Sequence, residues 1–248
     1  MPVKEGIIMR LILVMLFLLL YFIVSIPIFG IEWIIGKINP HARDISSLRI
    51  VQFGFKGILF FSGTKTTVIG FENIPKDKPV LFVGNHKSFY DVIISYSMMP
   101  NLTGFVAKKE IEKVPLLRTW MRFVYCLFLD LKEGLKTILQ GIEYIKRGIS
   151  IVIFPEGTRN TFADGMLPFK EGSLKFAEKS GCLIIPMVQN NTGECLEKHM
   201  PWIRKTHTVI EFCEPVDIKL LDKEDKKHVA AYVQKIMEGV YEKNKALV

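Results

Sequence analysis

The chain has 248 residues, 49% of them hydrophobic, with mean hydropathy +0.26 and 33 basic against 25 acidic side chains, a net charge of +8. That length can bury one substantial core, and a basic, apolar balance suits an anionic membrane surface or a phosphate-bearing substrate. Nucleic acid is discounted as a partner, because no helix-turn-helix spacing, zinc-finger pattern or RNA-recognition aromatic signature accompanies the charge.

Residues 11–31 carry no charged side chain and are long enough to cross a bilayer as a helix. No small-residue cleavage site follows them, which argues against a secretory leader. Lys4 and Arg10 precede this block and Lys37, Arg43 and Arg49 follow it, so the positive-inside rule selects no single-pass orientation. Two arrangements stay open: a single span, or a hairpin broken near Pro27 and Gly30 with both ends on the cytoplasmic side. Either way residues 1–62 form a membrane-anchoring or interfacial helical segment and residues 63–248 the domain that follows, expected on the cytoplasmic side of the cell membrane. Residues 44–62 are apolar with isolated positive charges; they lie along the membrane with Lys56 snorkelling, or they cover the core.

Residues 66–70 read as a strand, 73–79 as a proline-bracketed turn and 79–83 as a buried strand. Gly84-Asn85-His86-Lys87-Ser88-Phe89-Tyr90-Asp91 follows. A histidine and an aspartate five apart do not share a face of one continuous helix. They meet if His86 leaves the strand in a turn and Asp91 sits in the first turn of the next helix. An imidazole held by a carboxylate would then be available to activate a hydroxyl or a water. The bland alternative is a capping box with Ser88 as N-cap and Asp91 at N3.

Helix is predicted for 92–98 and strand for 103–107, followed by Lys108-Lys109-Glu110, a helix through Val124 and a strand for 126–130. Residues 132–148 read as a helix whose Leu135, Ile138, Leu139, Ile142 and Ile145 pack on the core, stopped by Gly148. Residues 149–154 form a strand without polar alternation, as in a strand covered on both faces. Helix at 173–180, strands at 183–188 and 208–212 and a charged amphipathic helix at 223–245 complete the chain. The alternation predicts an α/β fold with a largely parallel central sheet flanked by helices. Cys126, Cys182, Cys195 and Cys213 are far apart in sequence and read as free thiols in a reducing compartment. Cys195 and His199 have ligand-like spacing but no second pair, so no metal site is expected.

The strand at 149–154 runs into Phe154-Pro155-Glu156-Gly157-Thr158-Arg159-Asn160. Pro155 ends the ladder and Gly157 permits a tight turn or a close backbone approach. Arg159 offers a planar fork for phosphate, and amides near Gly157 and Thr158 can add to such a site. A surface turn with a Glu–Arg pair is the plain alternative. Position favours the site, because ligands of open α/β sheets gather outside the carboxyl ends of the strands.

Asn85-His86 with Asp91, then residues 154–159, then Ile184-Ile185-Pro186-Met187 resemble, in order and spacing, the conserved blocks of the PlsC-type glycerolipid acyltransferases, above all those that acylate 1-acylglycerol 3-phosphate. The resemblance covers roughly residues 65–215, and Phe169-Lys170-Glu171-Gly172 resembles the segment that family carries after its arginine. It departs at Phe128-Leu129-Asp130-Leu131-Lys132, where the family often has Phe-Ile-Asp-Arg; Leu131 cannot replace that arginine, and Lys132 offers a charge displaced by one residue.

The resemblance implies acyl transfer from a thioester on coenzyme A or acyl carrier protein to the sn-2 hydroxyl of the lysophospholipid, giving phosphatidate within phospholipid biosynthesis. His86 would be the general base and Asp91 its orienting partner. Glu156, Gly157, Thr158 and Arg159 would bind the substrate, with Lys108 as a second phosphate contact. No cofactor or metal is implied, and membrane lipids supply acceptor and product. Other acceptors within the class are glycerol 3-phosphate, a different lysophospholipid or a lyso-aminolipid. The rivals from other classes are a thioester hydrolase, against which the chain has no Gly-x-Ser-x-Gly elbow, and a non-catalytic membrane scaffold.

Overall fold

The computed structural model describes residues 2–130, 134–161 and 164–248, with side chains from Gly6 onward. It opens with α1 (Pro2–Ile38), an unbroken helix with Pro27 inside it, and α2 (Pro40–Ser62). The Asn39 side chain caps α2 by accepting from Ala42 N at 3.1 Å, and Pro40 occupies the first turn, where its missing N–H costs nothing. The two helices form an antiparallel hairpin: Gly36 lies opposite Arg43, Tyr21 opposite Gly54 and Phe17 opposite Gly57. Small residues set this closeness, since a Cβ on Gly54 would sit 2.9 Å from the Tyr21 ring and one on Gly57 would enter the Phe17 ring. Inside the hairpin the buried Glu32 accepts from Ser46 Oγ at 2.6 Å and Ser47 Oγ at 2.8 Å, which fixes its register.

Of the two arrangements left open by the sequence, the hairpin with a break near Pro27 and Gly30 is not the one formed; α1 runs through both residues and the chain reverses at Asn39. Proline removes one backbone hydrogen bond, yet the helix continues through it, with packing on both sides. Ser25 Oγ accepts from Trp120 Nε1 at 2.9 Å, and the Phe29 ring lies 4.9 Å from that indole.

Then follow β1 (Lys65–Ile69), β2 (Val80–Gly84), α3 (Phe89–Ser97), β3 (Thr103–Lys108), α4 (Pro115–Phe123), β4 (Leu127–Leu129), α5 (Gly134–Lys146), β5 (Ser150–Ile153), α6 (Lys175–Ser180), β6 (Leu183–Asn190), β7 (His207–Phe212) and α7 (Val229–Asn244). Among the described residues the sheet has seven strands in the order β1-β7-β6-β2-β5-β3-β4. Every neighbouring pair is parallel except β6 with β7. The α/β fold with a largely parallel sheet stands as expected. Consecutive residues of β2 and β5 point into different cores, which is why these strands show no polar alternation. Phe82 and Val152 join Leu48, Val51, Ile94 and Trp120 on the face covered by α2, α3 and α4. Leu81 and Ile151 join Ile145, Phe176, Val233 and Met237 on the face covered by α5, α6 and α7.

Three expectations change. The division at residue 62 marks a change of element, not of core, because Val14, Leu48, Val51 and Ile58 share one cluster with Phe82 and Phe212. The stripe on α5 is only half right: Ile145 is buried, but Leu135 and Leu139 are 71% and 59% exposed. The line that faces the core is Thr137, Gly141 and Ile145, and Gly141 lies on it because Phe176 and Leu127 leave no room for a side chain. Finally, the last helix starts at Val229, after a turn in which Asp222 Oδ1 accepts from Glu224 N and Asp225 N.

Candidate active site

Parallel strands place their carboxyl ends along one edge, and the residues that leave β2, β5 and β6 there meet. Ser88 caps α3 by accepting from Tyr90 N, and Asp91 completes the capping box. The same Asp91 also holds His86, so the capping and orienting readings are both true. Its Oδ2 accepts from His86 Nδ1 at 2.9 Å, Lys87 N at 2.6 Å and Ser88 N at 2.7 Å. Its Oδ1 accepts from Thr192 Oγ1 at 2.5 Å, from the turn after β6. A buried carboxylate accepting from four donors is firmly placed. Because a carboxylate only accepts, His86 Nδ1 carries the hydrogen and Nε2 the lone pair. The imidazole stacks on Phe154, centroids 4.3 Å apart at 17°, and remains 17% exposed.

The backbone that carries His86 is held from three sides. Asn85 exchanges two hydrogen bonds with the backbone of Gln189 on β6, at 2.9 and 2.8 Å. Asn160 N donates to His86 O at 2.7 Å. Glu156 Oε1 accepts from His86 N at 2.7 Å, while its Oε2 accepts from Leu167 N at 2.8 Å. Glu156 thus spends both oxygens on backbone amides and shapes the site. Burial raises its pKa, opposed by those two amides and by Lys87. Lys87 is itself buried, which lowers its pKa against the pull of Glu156, Asp164 and Asp91.

Gly157 and Thr158 are exposed at the turn. Gly157 has φ +71°, the left-handed region that favours glycine, and the flexible end of Lys170 reaches over it, Nζ 2.5 Å from where a Cβ would be. Arg159 reaches across to α3: its guanidinium lies 3.7 Å above the Phe89 ring, and its Nη1 donates to Glu197 Oε1 at 3.3 Å. Lys108 stands exposed at the end of β3, separated from β2 by β5 along the same edge. Leu131 and Lys132 lie outside the described residues. His199 Nε2 pairs with Glu194 and the Cys195 thiol with Thr64, so the two do not converge. Among the described residues no cluster of three or more His, Cys, Asp or Glu could hold a metal ion.

Thr192 and Glu197 were not singled out from sequence. Their only signal is their place after the carboxyl end of a strand, which acquires meaning once β6 is known to lie beside β2.

A family model described as Acyltransferase matches residues 65–190. The 1-acyl-sn-glycerol-3-phosphate acyltransferase of Saccharomyces cerevisiae is 29% identical over 167 residues, 65% of this chain and 55% of that protein, so the match spans about half of the yeast enzyme. The enzyme of the same name from Haemophilus influenzae is 32% identical over 174 residues, 66% of this chain and 71% of that protein. The crystal structure of the 1-acyl-sn-glycerophosphate acyltransferase PlsC from Thermotoga maritima shares the fold, with TM-score 0.82 at 23% identity over 99% of this chain and 100% of that one.

Proposed function

The chain belongs to the Acyltransferase family, and from that premise we propose that it transfers a fatty acyl group from an acyl thioester to the sn-2 hydroxyl of 1-acylglycerol 3-phosphate, forming phosphatidate. The thioester is carried by coenzyme A or acyl carrier protein and is a co-substrate; the chemistry calls for no cofactor. The observation that carries the reading is His86, its tautomer set by Asp91, on the turn that leads into α3, the helix whose Phe89 carries the Arg159 guanidinium. Relatives named for this reaction support the choice of acceptor.

His86 Nε2 accepts the proton of the acceptor hydroxyl as its oxygen attacks the thioester carbonyl. Asp91 stabilises the imidazolium that forms. Collapse of the tetrahedral adduct breaks the C–S bond, and the departing thiolate takes the proton from the imidazolium. No acyl-enzyme is required, since the bound hydroxyl is the nucleophile. Placing the two substrates together can supply up to about 7–11 kcal/mol of the barrier reduction. Arg159 holds the acceptor's phosphate beside the turn at Gly157 and Thr158, Glu156 positions His86, and Lys108 extends the positive edge.

The hairpin sets how this site meets the membrane. Both ends of α1 rest on the rest of the protein: Arg10 lies near Gly63 and Lys205, and Ser25 and Phe29 pack on Trp120. A helix held along its length cannot also cross the bilayer away from the domain. Its outward row, including Ile12, Leu16, Leu19, Ile23 and Ile34, with Phe53 and Phe60 of α2, is exposed and apolar, so it enters one leaflet from the cytoplasmic side. Lys56, between Phe53 and Phe60 on the exposed face of α2, snorkels to the headgroups.

The test is acyl transfer from labelled oleoyl-coenzyme A, then from oleoyl-acyl carrier protein, to lysophosphatidate in detergent micelles. Phosphatidate made by wild type and not by His86→Ala is the expected result. Thioester cleavage that ignores the acceptor, or product only from glycerol 3-phosphate, a different lysophospholipid or a lyso-aminolipid, overturns the reading.

A further inference from the structure

The start of α3 leaves the N–H of Phe89 without a partner inside the helix. Such a helix end attracts anions, and a substrate phosphate would be the natural occupant at an active-site edge. Here the place is filled by the chain's own Glu197, 108 residues further on. Glu197 Oε1 accepts from Phe89 N at 2.6 Å and from Arg159 Nη1 at 3.3 Å, and Oε2 accepts from Ser88 Oγ. Its side chain is 2% exposed and that of Arg159 is 34% exposed. The acceptor's phosphate is thereby excluded from the helix end and directed to the outer edge of the guanidinium. Glu197 takes one of that group's five N–H donors, and the Phe89 ring below fixes the plane of the fork.

The geometry points to Glu197 as a positioning residue: a carboxylate strut that ties Arg159 to the first turn of α3 and so sets the distance between the phosphate clamp and His86, three residues before Phe89. This rests on the acceptor reading above and deepens it. The strut matters because three segments distant in sequence meet in it: the turn before α3, the turn after β5 and the connection after β6. With the strut in place, a phosphate on Arg159 and a hydroxyl at His86 are held at one separation. Without it the guanidinium slides on Phe89 and presents the phosphate at many.

Glu197→Gln is the informative variant. It keeps an oxygen for Phe89 N–H and Arg159, removes the negative charge facing Arg159, and reverses the contact with Ser88, whose Oγ then accepts from the amide in place of donating to the carboxylate. The acceptor KM is expected to rise about tenfold, the size of one charge-assisted hydrogen bond, with kcat and the thioester KM unchanged. Arg159→Ala raises the same KM, and adding Glu197→Gln to it has no further effect. Independent, multiplying effects in the double variant, or a fall in acceptor KM on Glu197→Gln, overturn the inference. A second measurement needs no turnover: phenylglyoxal modification of Arg159, followed by peptide mass spectrometry, is expected to run several-fold faster in Glu197→Gln. Equal rates overturn the strut whatever the protein acylates. If wild type acylates no acceptor, the functional reading fails and the labelling rates still decide the strut.

Discussion

At the scale of single residues the site is a set of hydrogen bonds that fix His86 through Asp91, Glu156 and Asn160, its Nε2 without a partner among the described residues. His86→Ala is expected to leave the fold intact, because the backbone of residue 86 is held by Glu156 and Asn160, and to lower kcat by at least about 10²–10⁴-fold. Asp91 is a different case. Four donors converge on it, so Asp91→Asn points an amide N–H at another donor and lowers both kcat and melting temperature. Thr192→Val separates the two roles: it leaves His86 its partner but strips Asp91 Oδ1 of its only described donor. It should cost about 1–3 kcal/mol of stability by chemical denaturation. Glu156 adds a pH signature. Its pKa is raised by burial, so the fold favours the protonated form; the related stability is full below the ordinary carboxyl range and is lost as pH rises through the raised value. The stability advantage of wild type over Glu156→Gln should therefore shrink as pH rises above the ordinary carboxyl range. An advantage that grows with pH would show that the ionised form is the one the fold favours. The pair His86 and Asp91 was legible in sequence, since a turn and a helix start place such residues together locally. Thr192 and Glu197 were not, because nothing local ties residues about a hundred positions apart.

At the scale of elements, strands and helices were legible where burial is continuous. β2 and β5 are apolar throughout because both faces are covered, and Gly148, at φ +86°, closes α5 as its sequence position implies. The errors arose where neighbours override local signals. Pro27 lies in an unbroken helix that packs on Trp120 through Ser25 and Phe29, and Gly141 marks the core line of α5 that an apolar stripe conceals. The hairpin depends on small residues at its crossing. Gly57→Val drives a side chain into the Phe17 ring and should destabilise the protein by about 1–3 kcal/mol. It should also weaken binding to anionic vesicles in a flotation assay. Unchanged melting and flotation would mean that the two helices do not depend on this approach.

For the whole molecule, the hairpin is part of the core rather than an attachment to it. Removing residues 2–62 uncovers Ile94, Tyr96, Met99 and Trp120, which pack in the same cluster as Leu48, Val51 and Ile58. The truncated chain is expected to aggregate on size-exclusion chromatography in detergent-free buffer; a monodisperse, active fragment would show the two parts to be separable. Sequence by itself determined the α/β class, the apolar N-terminal helix, the His86–Asp91 pair and the turn from Glu156 to Arg159, because each is written in neighbouring residues through periodicity, capping and turn chemistry. Tertiary structure decided the rest. It brought β6 beside β2, and with it Thr192 to Asp91; it turned the hairpin at Asn39; and it set Glu197 between Phe89 and Arg159. Those outcomes depend on which strands pair and which faces need covering, and such choices are made by the burial of the whole chain at once.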